Sequence, residues 1–426
     1  MAMPIARDCE EGTAIMNSDV LATRTTSQLH NNSCVFDDVI DRRHSNSVKW
    51  AYAAKLLAPD EAAADPLPMW VADMDFRAPQ PVLDALHEIV EHGVFGYPDV
   101  RESYVDAVVG WQAKRFGWDI SREWILQSAG VVTALRTAIQ AFSSPGDSVL
   151  IQPPVYSHFH TDVELNGRHL AYAPLRRDGD GYLFDETAFE AAIRDDTKIF
   201  ILSNPHNPTG NVWSEDELRI MADICDRHDI LVISDEIHQD LIINPAKRHH
   251  PFASIGESTA RNCITCTAPS KTFNLPGLQS ANLIIPNKRI RDEFERQFSR
   301  NMATTVNVMG MAAAEAAYAH GEPWLDQLLV YLRENHAHFA NAVNGALSTV
   351  RVLPADSLYL AWMDCRGLGM DADALDKFML TKARLWLDKG QKFGIEGHGY
   401  MRVNLGCPRS TVDEAIRRLT SAISLL

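Results

Sequence analysis

The chain has 426 residues, 46% hydrophobic and 23% charged, an ordinary globular balance with material for a large core. Its formal net charge of −16 argues against a general phosphate-backbone binder, so no nucleic-acid partner is expected. No run approaches the ~18 uninterrupted apolar residues of a membrane-spanning helix, so no membrane partner is expected either.

Residues 1–33 are polar, acidic and rich in Ser, Thr and Asn, and read as a flexible extension. The start lacks a basic segment followed by an apolar one, so no secretory signal is expected. Seven scattered cysteines, an odd number, read as reduced thiols of a cytoplasmic protein. Residues 34–80 read as a segment that packs with a smaller domain. Within it "LLAPDEAAADPLP" reads as a loop, because prolines and acids interrupt any period. "HEIVEH" (87–92) misses the zinc pattern H-E-x-x-H by one residue, and its second histidine falls ~140° around a helix, so it reads as a solvated face.

From there strand and helix patterns alternate. "WILQSAGVVTALRTAIQAF" (124–142) is a strand start, a Ser-Ala-Gly turn and a helix. "SVLIQ" (148–152) is an apolar strand. "HFH" (158–160), if extended, sets two imidazoles on one face beside the substrate entrance. "KIFILS" (198–203) leads through the turn-rich "NPHNPTGN" into a helix opened by a capping box, Ser214 with Glu217. Leu218, Met221, Ala222 and Cys225 mark that helix's buried face. "ILVIS" (230–234) and "NCITCT" (262–267) are further buried strands. The C-x-x-C within the last, Cys263 and Cys266, reads as core rather than metal or redox chemistry. The pattern predicts an α/β fold: a large domain over 81–310 with a mostly parallel sheet covered on both faces. A smaller α+β domain follows over 311–426.

Ligands of open α/β sheets bind beyond the carboxyl ends of the strands. Tyr156, Asn207, Asp235 and Lys271 all fall just past such ends. Taken alone, Asp235 could be a cap or a loop ion pair, and Lys271 an ordinary loop lysine. Together, a lysine and a carboxylate beside an electrophilic cofactor suggest pyridoxal 5'-phosphate (PLP), held on the lysine with the acid at its pyridine nitrogen. The helix start at Gly130 offers free N–H groups to a phosphate, and glycine permits close approach.

"SNPHNPTG", "SDEIHQDL" and "APSKTFNLPGLQ", in this order, resemble fold-type I PLP enzymes of the aspartate aminotransferase-like type. The nearest branch is the cystathionine β-lyase-like C–S lyases among the class I/II aminotransferases. "FDDVIDRRHSNSVKW", "MWVADMDF", "HGVFGY" and "MRVNLGCPRS" extend the resemblance over nearly all of the chain after the first ~33 residues. It implies that Lys271 carries the cofactor and shuttles the Cα proton. Asp235 would face the pyridine nitrogen, Asn207 the ring oxygen and Tyr156 the ring face. Gly130, Val131, Val132 and Ser270 would belong to the cofactor site, the first three binding phosphate through backbone N–H groups. Arg402 would take the substrate α-carboxylate. Tyr97 would reach the phosphate of a neighbouring subunit in a homodimer with shared sites; otherwise it is an aromatic packed beside a Gly turn. His238 would donate near the ring oxygen or merely cap its strand.

Aminotransferases of this kind often carry S-x-S-K at the lysine and an arginine eight residues on. Here Ala268 and Gln279 stand at the first serine and the arginine. "SDEIH" and "FNLPGLQ" look like the lyase branch. The expected function is therefore C–S β-lysis of cystathionine or a related S-substituted cysteine, a small amino-acid substrate. Transamination is the alternative, and a non-catalytic regulator of the same fold is the alternative from another class.

Overall fold

The computed structural model describes residues 36–303 and 307–426; the 1–33 extension lies outside the described residues. A seven-stranded sheet runs in the order Ile125–Ser128, Ala281–Ile284, Cys263–Thr267, Leu231–Asp235, Thr197–Ser203, Ser148–Ile151, His169–Tyr172. Only Ala281–Ile284 is antiparallel to its neighbours.

Successive side chains of a strand point to opposite faces, and the apolar strands use both. Ile199, Ile201, Ile233 and Ile264 pack with Ala134 and Leu135 of the Val131–Phe142 helix. Phe200, Leu202 and Val232 pack on the other side with Leu218 and Met221 of the Glu215–Arg227 helix. The same alternation separates Cys263 and Cys266 into these two cores, so the C-x-x-C pair cannot share one ion. The Ser214–Glu217 capping box forms as the sequence predicts. Leu218, Met221 and Cys225 are buried on that helix, Ala222 packs partly buried against the same core, and Ile224 joins them.

A four-stranded sheet follows, ordered Arg351–Val352, Leu360–Asp364, Tyr400–Asn404, Asp388–Lys389, with neighbours antiparallel. Its core includes Val403, Leu405 and Leu419. The stretch expected as a loop at 56–68 departs from that expectation. Pro59 opens a short helix, Pro59–Ala63, because proline at a first helical position presets φ and lacks only a donor that is unused there. Leu67–Pro68 then pairs in parallel with Leu385–Trp386. The "HFH" stretch is also helical, within Ser157–Leu165, so its histidines do not share a face.

Residues 70–76 cross between the two sheets without strand partners of their own. Backbone carbonyls withdrawn from water need donors, and here side chains supply them. Arg402 donates to the Trp70 carbonyl, Asn404 to those of Val71 and Asp73, and Asn274 to those of Met74 and Phe76. The acids of this crossing are tied to the preceding chain. Asp75 accepts from Arg42 (2.6 Å), Lys49 (2.7 Å) and the Trp50 indole (2.8 Å), and Asp73 from Arg42 (2.6 Å). Lys49 is only 1% exposed, so losing Asp75 would leave a buried charge with only Asp73, 4.0 Å away and already shared with Arg42. Asp75→Ala is therefore expected to lower unfolding free energy by about 3 kcal/mol in chemical denaturation; a loss below about 1 kcal/mol would contradict this role for the cluster.

Candidate active site

The segments that leave the carboxyl ends of the parallel strands converge on a cavity of about 530 Å³. Gly130, Val131 and Val132 enter its wall after Ile125–Ser128, and Tyr156 after Ser148–Ile151. Asn207 follows Thr197–Ser203, Asp235 ends its own strand with His238 just beyond, and Ser270 and Lys271 follow Cys263–Thr267. Arg402 reaches in from the four-stranded sheet. Of the residues singled out in the sequence, Tyr97 alone is elsewhere: it is fully exposed, beside a separate surface pocket with Tyr104 and Met311.

Lys271 sits on the single turn Pro269–Thr272, opened by proline at its first position. The turn is pinned from below. Thr272 donates to the buried Asp240 carboxylate (2.8 Å), which also accepts from the Trp111 indole (3.0 Å). The Lys271 amine donates to the Ala72 carbonyl at 2.6 Å, and the Tyr359 hydroxyl donates to the same oxygen at 2.8 Å. Burial, then the Arg402 guanidinium, pull the amine down to about 8, against the pull of Asp73 and Asp235. About a tenth of it is then neutral at pH 7.

Asp235 is buried and accepts one hydrogen bond, from the Ile237 N–H at 3.2 Å. No cation among the described residues stands within ion-pair distance of it. Burial pushes its carboxyl up to about 7, although the Ile237 N–H and Lys271 oppose this. Asn207 accepts from Arg402 (3.1 Å) through its side-chain oxygen, leaving its amide nitrogen without a partner among the described residues. His238 is buried, and its Nδ1 likewise has no partner. Burial, with Lys271 and Arg402 nearby, holds its ring far toward the neutral form. The side chain caps no strand; it lies at the cavity wall with its ring 6.3 Å from that of Tyr359. Burial and Asp235 raise the Tyr156 phenol to about 12, so it stays protonated.

At the other end, the Val131–Phe142 helix begins at Gly130 without a side-chain cap. Gly130 is extended, a conformation open to any residue, and a Cβ built there meets nothing within 4 Å. The space before the helix N–H groups is therefore open. Gln279, in the left-handed conformation at φ 51°, and Ser270 also line the cavity. The cations at the cavity wall are Lys271, Lys392 and Arg402; none comes from the stretches around Gly130 or Gln279.

Several of these groups escape sequence reasoning. Asp388 bonds Arg402 at 2.6 Å and Lys392 at 2.8 Å, and Ala72 and Tyr359 hold the lysine. Asp388 faces Arg402 across a strand pair whose register depends on the turns between them. The i, i+4 spacing of Asp388 and Lys392 was the one visible signal.

A lysine, a buried aspartate and an asparagine at the carboxyl edge of a mostly parallel sheet, closed by a second sheet bearing an arginine, define an α/β enzyme of fold type I. Comparison with known proteins narrows this. Residues 72–419 match the family described as aminotransferase class I and II. The chain is 42% identical over 390 residues to cystathionine β-lyase PatB of Bacillus subtilis (strain 168), covering 91% of this chain and all of that one. Among solved structures it is similar to cystalysin from Treponema denticola, which contains pyridoxal 5'-phosphate, at TM-score 0.87 and 34% identity (91% and 98% of the two chains). It is also similar to the PLP-bound C–S lyase from Staphylococcus hominis, at TM-score 0.84 and 30% identity (93% and 98%). The chain belongs to the class I and II aminotransferase family, in its cystathionine β-lyase-like C–S lyase branch.

The raised carboxyl of Asp235 has a thermodynamic consequence. Its ordinary value is 3.8, so between about pH 4 and 7 the folded cofactor-free protein binds a proton that the unfolded chain has lost. Stability from this group is complete below about pH 4 and falls as pH rises to 7, by up to about 1.4 kcal/mol per pH unit. Thermal melts of cofactor-free protein should show Asp235→Asn gaining on wild type across that window. A difference that does not change with pH would contradict the assignment.

Proposed function

We propose that this protein is a PLP-dependent carbon–sulfur β-lyase that converts cystathionine or a related S-substituted L-cysteine, with water, into a thiol, pyruvate and ammonia. The observation that carries the reading is the pairing of two perturbed groups in one cavity. Asp235 is a buried carboxylate with no cation at ion-pair distance among the described residues, and Lys271 is an amine whose affinity for its proton is lowered to about 8. A protonated pyridine nitrogen is the cation such a carboxylate lacks. The open space before Gly130, with the helix N–H groups, Ser270 and Gln279 around it, suits a phosphate. The Asn207 amide nitrogen, without a partner among the described residues, suits an oxygen between these two ends. The residues therefore fit the cofactor named in the related structures.

Bound there, the cofactor supplies an electron-accepting ring that stabilises negative charge at the substrate Cα. The chain's residues supply the rest. Lys271 anchors the cofactor, and its freed amine takes the Cα proton; a value near 8 suits that exchange at neutral pH. Asp235 would keep the ring nitrogen protonated, and Tyr156 would pack on the ring face. The Arg402 Nε has no partner among the described residues, so the guanidinium retains donors for the α-carboxylate. Loss of the Cα proton expels the thiolate from Cβ, and water later releases pyruvate and ammonia.

The exposed Tyr97 is assigned to a neighbouring subunit's phosphate, which makes the functional unit a homodimer with shared sites. This would also supply a donor at a phosphate end that has Gln279 where relatives among the aminotransferases often carry arginine.

Purified protein given cystathionine without a keto acid is expected to yield pyruvate and thiol in equal amounts. Lys271→Ala should lower this rate at least about a thousandfold while leaving the melting profile folded. Product that appears only when a keto acid is added would replace lysis with transamination.

A further inference from the structure

The hairpin that carries Arg402 also carries two charges that proton transfer at Cα does not require. Asp388 lies opposite Arg402 in the strand pair, and Lys392 follows one turn later. One Asp388 oxygen accepts from Arg402 at 2.6 Å, the other from Lys392 at 2.8 Å. Both side chains line the same cavity as Lys271. Asp388 is largely enclosed, with its side chain 12% exposed, whereas the Lys392 side chain is 43% exposed at the cavity wall. The Lys392 ammonium lies 5.7 Å from the centroid of the Trp70 ring, which is stacked on Trp386. Asp388 is the only carboxylate among the described residues within ion-pair distance of Lys392, and Arg402 already shares it.

These three residues carry two positive charges and one negative. The α-carboxylate of an amino-acid substrate at Arg402 balances the set. Any further charged group then meets an ammonium and a carboxylate side by side, two hydrogen bonds along from the guanidinium. A lone carboxylate arriving there pairs with Lys392 but takes that cation from Asp388. A lone ammonium does the reverse, and an uncharged alkyl group gains nothing. A zwitterion can exchange with the pair, its ammonium on Asp388 and its carboxylate on Lys392, so that every charge stays paired.

We propose that Lys392 and Asp388 determine specificity by binding the far end of the substrate. The class they select is S-substituted L-cysteines whose sulfur substituent ends in an α-amino-acid zwitterion, as in cystathionine. This rests on the lyase reading and adds the group that chooses among its substrates. Asp388 also orients Arg402, so its removal would affect every substrate; Lys392 is the informative position.

The test compares wild type, Lys392→Met and Lys392→Arg, loaded with cofactor, on four substrates: cystathionine, S-carboxyethyl-L-cysteine, S-aminoethyl-L-cysteine and S-ethyl-L-cysteine. Wild type should show its highest kcat/KM with cystathionine. Lys392→Met should lower kcat/KM for cystathionine about tenfold more than for S-ethyl-L-cysteine, mainly through KM, the loss expected of one charge-assisted bond. Lys392→Arg should restore most of that difference, which a packing defect would not permit. Equal losses on all four substrates, or no loss on cystathionine, would overturn the proposal. If wild type cleaves S-ethyl-L-cysteine but not cystathionine, the lyase reading stands and this inference fails. If it cleaves none of the four without a keto acid, both fail.

Discussion

Two ionisable groups, a buried aspartate and a half-buried lysine, meet at the carboxyl edge of the sheet and are not bonded to each other. Asp235 ends a strand whose every residue is buried, and Lys271 follows the next strand. Desolvation disfavours both charged forms, pushing the acid up to about 7 and the amine down to about 8. Left alone, such a pair costs stability. A ligand that brings a cation to one and a carbonyl carbon to the other relieves both costs at once. Around this pair the same cavity gathers an uncapped helix start at Gly130, the Asn207 amide and the Arg402 guanidinium.

The 70–76 crossing ties the two sheets to that edge. Its Ala72 carbonyl accepts from both Lys271 and Tyr359. When Lys271 leaves this oxygen to engage a ligand, Tyr359 keeps it satisfied, so the lysine can move without leaving a bare buried acceptor. Arg402 and Asn404 hold neighbouring carbonyls from the small sheet, and Asn274 holds others from just beyond the lysine. Arg402 and Lys271 are thus positioned through one strap of backbone, anchored in turn by Asp75 and Lys49.

Much of this was legible in the sequence because it follows local rules. Continuous apolar runs gave buried strands, the Ser214–Glu217 spacing gave a helix start, and the ends of the strands marked where Asn207, Asp235 and Lys271 meet. What could not be read depends on distant chain. Asp388 opposes Arg402 only because of a strand register. Ala72 holds Lys271 across 199 positions of sequence. The stretch 56–68 carries a short helix and a strand pair where its prolines suggest a loop, because proline starts a helix as readily as it stops one. The two histidines of "HFH" share a face only in an extended chain; Ser157–Leu165 is helical, so they separate, and His158 lines the cavity beside Tyr156.

The central claim is that the amine at position 271 is the group that captures the cofactor. It is tested most directly by incubating the full chain with pyridoxal 5'-phosphate, reducing with borohydride and mapping the labelled peptide by mass spectrometry. The account predicts one pyridoxyl group, on Lys271, and its loss from that peptide in Lys271→Ala. A label carried by another lysine, or none at saturating cofactor, would contradict it.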